Sequence, residues 1–295
     1  MEIHFEITNQ CLLNCRHCSS FASKVNKKMA YSEQNMVHYL NSIEGMKNVF
    51  LTGGEPLLYA GLTELLTKIQ SEVSEVSLGL FTCGIIKRGN NLRAISKEYS
   101  KELVRCGLKV CYLSIYSHEE QIHDWMTRQH GAFSLIMESI KNLQEAGVEI
   151  RFNSVVHRKN RFNFEKIVEF AENMNVAEVR MLKLINQGRA CEHWDELGLA
   201  EEEYREVVNS ILERKNKIRL TASGLVDLLP CRYQGELYEC PAGEEVFYIT
   251  YEGAVFPCAS VKKKEEWKIG NIYDVDIQKK CSGVSLKKRQ EILCS

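Results

Sequence analysis

The sequence predicts an α/β fold, an open partial (β/α)6 barrel of the TIM type followed by a small C-terminal α+β module. Three observations predict it. Short β-rich runs alternate with longer stretches of helical period through the first two thirds of the chain, the pattern of parallel strands joined by right-handed crossovers. The 295 residues are 44% hydrophobic, enough to bury the core of one large or two unequal domains. Beyond Arg189 the alternation gives way to a charged helical stretch and hairpin-scale β runs with few apolar residues per unit length. The predicted division is a barrel over 1–190 and a linker helix plus small module over 191–295.

In chain order, the strand runs are Glu2 to Thr8, Asn48 to Thr52, Val76 to Thr82, Val110 to Ile115, Glu149 to Val156 and Glu178 to Leu184. Helical patterns lie between them, at Ser32 to Ile43, Leu62 to Val73, Asn91 to Cys106, Phe133 to Ala146 and Phe164 to Met174. Ser32 ahead of Glu33 and an amphipathic run reads as an N-cap. Six strand–helix units are too few for the closed eight-stranded barrel, so the barrel is expected to be partial. The later β-like runs are Lys217 to Thr221, Val246 to Tyr251 and Ala254 to Pro257, after a helix over Glu201 to Lys215. So small a module is usually held by something besides its core, and Cys231, Cys240, Cys258, Cys281 and Cys294 are at hand.

Chemistry is concentrated directly after the first strand, where barrel active sites lie. Cys11, Cys15 and Cys18 stand in a Cys-x3-Cys-x2-Cys run, which can aim three thiolates at one cubane iron–sulfur cluster and leave one iron without a protein ligand. A structural zinc site would need a fourth ligand, and His17 would have to fold back into its own loop to serve. Twelve cysteines without an apolar signal segment suit a reducing, cytoplasmic setting and metal binding. No run is long enough to span a bilayer. A net charge of −1 offers no basic field for nucleic acid, and Lys262-Lys263-Lys264 followed by Glu265-Glu266 reads as a solvated turn.

The second motif is Thr52-Gly53-Gly54-Glu55-Pro56 at the end of the second strand. Its glycines allow close backbone approach to a ligand, and Glu55 with neighbouring carbonyls offers acceptors for an ammonium group. With the cysteine run, this makes the sequence resemble the radical S-adenosylmethionine superfamily. The resemblance implies that the triad binds a [4Fe-4S] cluster and that Gly53, Gly54, Glu55 and Pro56 hold the methionine amino group of S-adenosyl-L-methionine. It extends to Ser114 at the end of strand four, to Asn153 in strand five with Asn160 beyond it, and to Gly188-Arg189-Ala190 at the barrel's end. Ser114 and Asn153 are the implied further cofactor contacts. His118, His123 and Asp124 fall at the family's usual His-Asp position, where surface or capping roles are the better reading. Cys106 and Cys111 read as small hydrophobes. Cys83 replaces a more usual asparagine at the active-site end of strand three and is a candidate catalytic hydrogen donor.

The C-terminal region resembles the twitch or SPASM iron–sulfur module, through Cys240-Pro241, Gly253, Cys258 and Gly270-Asn271. The cassette of a full double-cluster SPASM domain is absent. The resemblance implies one auxiliary cluster held by Cys231, Cys240 and Cys258, with Cys294, Cys281 or a non-cysteine group as fourth ligand; alignment to the cassette favours Cys294.

The implied activity is reductive cleavage of S-adenosylmethionine to a 5′-deoxyadenosyl radical that abstracts hydrogen from substrate. Oxidation, cross-linking or epimerisation of a ribosomally made peptide is the first expectation. Dehydrogenation of an aminocyclitol- or sugar-like small molecule is the alternative, and a non-enzymatic iron–sulfur or zinc carrier the alternative from another class. Implied partners are a flavodoxin- or ferredoxin-type electron donor and a separate leader-peptide-binding protein, since the chain opens at its first barrel strand. Neither nucleic acid nor membrane is expected as a partner.

Overall fold

The computed structural model describes residues 1–22, 29–212, 217–224 and 241–282. Strand β1 (Glu2–Thr8) shows how the barrel wall is laid down. Ile3, Phe5 and Ile7 join the main core with Leu40, Leu65 and Leu66, while the alternate residues His4, Glu6 and Thr8 face the interior. There follow α1 (Glu33–Asn41), β2 (Lys47–Gly53), α2 (Leu62–Glu72), β3 (Val76–Thr82), a hairpin of β4 (Ile85–Arg88) and β5 (Asn91–Ala94), and α3 (Lys97–Arg105). The barrel continues through β6 (Leu108–Ser114), α4 (Glu120–Thr127), α5 (Ala132–Glu145), β7 (Glu149–Val155), α6 (Phe164–Asn173) and β8 (Glu178–Leu182). Ser32 caps α1 as expected: its hydroxyl accepts the Asn35 amide at 3.1 Å, and Asn35 Oδ1 accepts the Ser32 amide in return.

After the short helices α7 (Arg189–Glu192) and α8 (Trp194–Leu197) come α9 (Glu201–Leu212), β9 (Arg219–Ser223), β10 (Val246–Ile249), β11 (Ala254–Phe256), β12 (Gly270–Asn271) and a further helix, Ile277–Ser282. One sheet runs β12-β11-β10-β1-β2-β3-β6-β7-β8-β9. All pairings from β10 to β9 are parallel, with Phe5 opposite Leu51 and Leu51 opposite Leu80; β11 and β12 add antiparallel. Among the described residues the order does not close on itself, so the expected open barrel is the observed architecture.

Three expectations change. Asn91 to Cys106 is not one helix: Gly89 at φ +59° turns Arg88 onto Asn91, and α3 begins only after Ser96, whose hydroxyl accepts the Tyr99 amide. The run expected to open the C-terminal module, β9, instead adds to β8, and β10 adds to β1, so backbone pairing crosses the predicted boundary at both edges of the sheet. Lys262 is not solvated: its side chain is 6% exposed and inside the barrel.

The barrel floor is a packed polar–aromatic layer. Phe81 stacks on Tyr112 with centroids 4.9 Å apart, and Arg180 donates to the Tyr112 hydroxyl at 2.6 Å and to Glu2 at 3.1 Å. The floor is filled, and open chemistry is left to the strands' C-terminal ends.

Candidate active site

The loop after β1 carries Cys11, Cys15 and Cys18. Cys15 is buried and the other two half-buried, and all three pack with Leu12, Leu13, Ile85, Leu92, Ala132 and Leu135. Local hydrogen bonds shape it: the Cys18 amide donates to Cys15 O at 3.3 Å, and the Leu13 amide to Cys11 Sγ at 3.4 Å. Burial pushes the Cys11 thiol up to about 12, with the Glu55 carboxylate adding to the rise, and pushes Cys15 well above the ordinary range. Thiols so buried lose their protons only to a cation or a metal.

The Gly53-Gly54-Glu55 turn sits directly against this loop. The Gly54 amide donates to Thr8 O at 2.8 Å and the Glu55 amide to Gln10 O at 2.7 Å. A Cβ on Gly53, at φ +133°, would lie 2.0 Å from Thr8 O, and one on Gly54 2.1 Å from Gln10 O. The close approach read from the sequence as one to a ligand is therefore an approach to the cysteine loop's own backbone. Glu55 differs too. Its carboxylate, 1% exposed, accepts the Thr82 hydroxyl at 2.5 Å, the Cys83 amide at 2.8 Å and the Leu57 amide at 3.1 Å. Burial raises its pKa even so, and this carboxylate is a lock between the turn and the end of β3, with the turn's carbonyls left as acceptors. Pro56 opens the 3₁₀ turn that follows.

Ser114 and Asn153 are neighbours in register at the ends of β6 and β7, and Asn153 Oδ1 is buried without a hydrogen-bond partner. Asn160 is committed elsewhere, donating to Tyr116 O at 3.0 Å and Val155 O at 2.9 Å. Cys83 packs with the triad, its thiol hydrogen-bonded to Glu55. Asp124 caps α5, accepting the Gly131 and Phe133 amides at 2.6 and 2.9 Å, as the capping reading expects. His123 is buried against Tyr116, whose amide it accepts, and burial lowers its pKa to about 4. Cys111 is a fully buried core residue, and Cys106 is half-buried against the same core.

Of the auxiliary residues, Cys258 is half-buried beside Ala242, Val261 and Trp267. Cys281 lies apart in the main core, its thiol hydrogen-bonded to Tyr39. Cys231, Cys240 and Cys294 lie outside the described residues.

Sequence reasoning missed a buried link between module and barrel. Lys262 Nζ donates to Glu6 Oε1 at 2.5 Å and Ser20 Oγ at 2.6 Å, and the Tyr248 hydroxyl donates to the same Glu6 oxygen at 2.6 Å. The available signal was Glu6 itself, a carboxylate on the inward face of a strand.

The residues fit an iron–sulfur cluster and a polar cofactor. Three thiols share one apolar wall, and the Asn153 oxygen, on β7 opposite Ser114, is buried without a partner. Among the described residues no group of three Cys, His, Asp or Glu side chains could hold one metal ion, whereas a cubane takes its thiolates at separate corners.

Comparison with known proteins agrees with this chemistry. The profile of the radical SAM superfamily matches residues 5–171, and SPASM, an iron–sulfur cluster-binding domain, matches 240–289. An AdoMet-dependent heme synthase of Oleidesulfovibrio alaskensis is 29% identical over 209 residues, 70% of this chain and 51% of the relative. The sporulation killing factor maturation protein SkfB of Bacillus subtilis is 24% identical over 274 residues, 91% of this chain and 62% of the relative. The chain thus spans half to two thirds of these proteins. Streptococcus suis SuiB bound to its precursor peptide SuiA shares the fold with a TM-score of 0.70 at 13% identity, covering 100% of this chain and 66% of SuiB. No described helix is long and apolar enough to cross a membrane. The first profile brings a [4Fe-4S] cluster and S-adenosyl-L-methionine as cofactors, and the second brings auxiliary iron–sulfur binding. The chain belongs to the radical S-adenosylmethionine superfamily and carries a SPASM domain after its barrel.

Proposed function

We propose that this chain is a peptide-modifying radical enzyme in which Cys11, Cys15 and Cys18 hold the [4Fe-4S] cluster and the Gly53–Pro56 turn, Ser114 and Asn153 receive S-adenosylmethionine. The observation that carries the reading is the cysteine loop zipped by backbone hydrogen bonds to the Gly-Gly-Glu turn at the C-terminal end of the sheet. When bound, the cluster and S-adenosylmethionine would supply one-electron chemistry for hydrogen-atom abstraction from a substrate.

The protein's own residues place and protect. Leu12, Leu13, Ile85 and Leu92 keep water from the thiols, Glu55 fixes the turn to β3, and Cys83 stands at the same rim as the candidate hydrogen donor. Cys231, Cys240, Cys258 and Cys294 are the proposed ligands of an auxiliary cluster, and a flavodoxin or ferredoxin the proposed electron source. A peptide substrate is favoured because SkfB aligns across 91% of this chain, module included. A small-molecule substrate is the second reading, favoured by the heme synthase likeness.

The test is anaerobic reconstitution, reduction with S-adenosylmethionine, and assay of 5′-deoxyadenosine. The wild type should form it, and a C11A/C15A/C18A variant should not while retaining its C-terminal iron; cleavage by that variant refutes the assignment. Incubation with short peptides encoded beside the gene should yield a peptide that has lost hydrogen. Turnover of cyclitols or porphyrins with none of any peptide would replace the first reading with the second.

A further inference from the structure

Arg189 is buried, 6% exposed, and its guanidinium has no carboxylate partner among the described residues. It is spent on the cysteine loop. Nε donates to Cys15 O at 3.0 Å, Nη1 to Ala22 O at 2.7 Å, and its backbone amide to Cys18 O at 3.0 Å. Gly188 makes this possible: at φ +62°, a Cβ there would stand 2.4 Å from Cys18 O and 2.7 Å from Ser19 O. The end of the barrel is thereby folded onto the loop that follows its first strand.

A fixed cation in so dry a place is costly unless a negative charge accompanies it. Carbonyl dipoles alone are a weak counterweight, and the candidate anions in reach are the thiolates. Two of the residues whose carbonyls Arg189 grips, Cys15 and Cys18, themselves carry thiols of the triad.

Resting on the assignment of Cys11, Cys15 and Cys18 as cluster ligands, we propose that Arg189 is a positioning and charge-compensating residue that sets the reduction potential of that cluster. Reduction adds one electron to a cluster whose thiolate ligands already make its surroundings negative. A permanent positive charge held at the ligand loop stabilises the reduced form, and net charge with hydrogen bonding is among the levers that set iron–sulfur potentials. Removing the charge makes the cluster harder to reduce. Arginine is suited to this because it cannot deprotonate and its fork grips two carbonyls at once.

The experiment compares R189Q and R189K with the wild type in an anaerobic redox titration followed by EPR, reading the signal that changes when S-adenosylmethionine is added. Iron and sulfide are counted on each sample. At the wild-type midpoint, R189Q should hold about tenfold less reduced over oxidised cluster, which is 59 mV for a one-electron couple. R189K, which keeps the charge and loses the fork, should stay within about threefold. A purely structural role would shift both variants alike or leave both unshifted, and either result overturns the proposal. If R189Q fails to assemble a cluster, R189M takes its place: a tenfold loss in R189M beside an unshifted R189K supports charge compensation, and an unshifted R189M or a tenfold shift in R189K overturns it. Failure of the ligand assignment looks different, since then the S-adenosylmethionine-responsive signal persists in C11A/C15A/C18A.

Discussion

Replacing Lys262 by methionine should cost this protein about 3 kcal/mol of stability, because it strands a carboxylate inside the barrel. Lys262 and Glu6 side chains are both only 6% exposed, with Nζ 2.5 Å from Oε1. Removing one partner of such a pair costs roughly 3–5 kcal/mol, since the survivor stays buried without its counter-charge. Here the Tyr248 hydroxyl at 2.6 Å and the Tyr251 amide at 3.2 Å remain on Glu6, which places the cost at the low end of that range. For a chain of this length about 3 kcal/mol corresponds to a melting temperature roughly 6 °C lower. The assay is calorimetry of anaerobically reconstituted K262M, E6Q/K262M and wild type at equal iron content. The double variant, which leaves no orphaned charge, should recover most of the loss. A shift below about 2 °C for K262M, or a double variant no better than the single, would refute the reasoning that the pair is a dry, mutually dependent unit.

Three further outcomes follow from the same structure. G54A drives a Cβ to 2.1 Å from Gln10 O, so the cysteine loop must move; 5′-deoxyadenosine formation should fall at least about tenfold, about 1.4 kcal/mol, while C-terminal iron is kept. His123 and His157 are held neutral by burial, with pKa values lowered to about 4 from 6.5. The unfolded chain therefore binds more protons, and their stabilising contribution, present above pH 6.5, should drain away at about 1.4 kcal/mol per pH unit per histidine as pH falls toward 4. Denaturant melts across that window check it, and a flat profile contradicts it. C281A should keep its full iron and sulfide content, because Cys281 packs in the main core against Tyr39 and away from Cys258; loss of iron would make it a ligand.

Where sequence alone succeeded and where it did not has a physical pattern. β1 and β3 were legible to the residue because strand alternation is local, and the packing of Cys11, Cys15 and Cys18 into one cluster because their spacing confines them to one loop. The hairpin inside the expected Asn91 to Cys106 helix was missed although Gly89-Asn90 marked it; helical period in the following segment outweighed a two-residue turn signal. Partner choice was not legible at all. Nothing local in Arg219–Ser223 or Val246–Ile249 says which strand each will pair with, and both pair across the predicted boundary. Lys262 looked like one of a solvated run because its counter-charge, Glu6, lies 256 positions away. Glu55 is the opposite case: its motif was visible, and the three donors its carboxylate accepts, from Leu57, Thr82 and Cys83, were not.

The parallel pairing of β10 with β1 has a consequence for how the molecule comes into being. One edge of β1 stays uncovered until residues 246–249 have been made, more than two hundred positions later. Through most of synthesis that edge presents a row of free amides and carbonyls beside a loop of exposed thiols, the kind of surface on which nascent chains stick to one another. Contacts of such long sequence separation also form slowly, since a long loop must close before they give any return. The barrel's first strand is thus the last to be sealed, and truncations ending before Val246 should be recovered as aggregates even though they keep the cysteine loop intact.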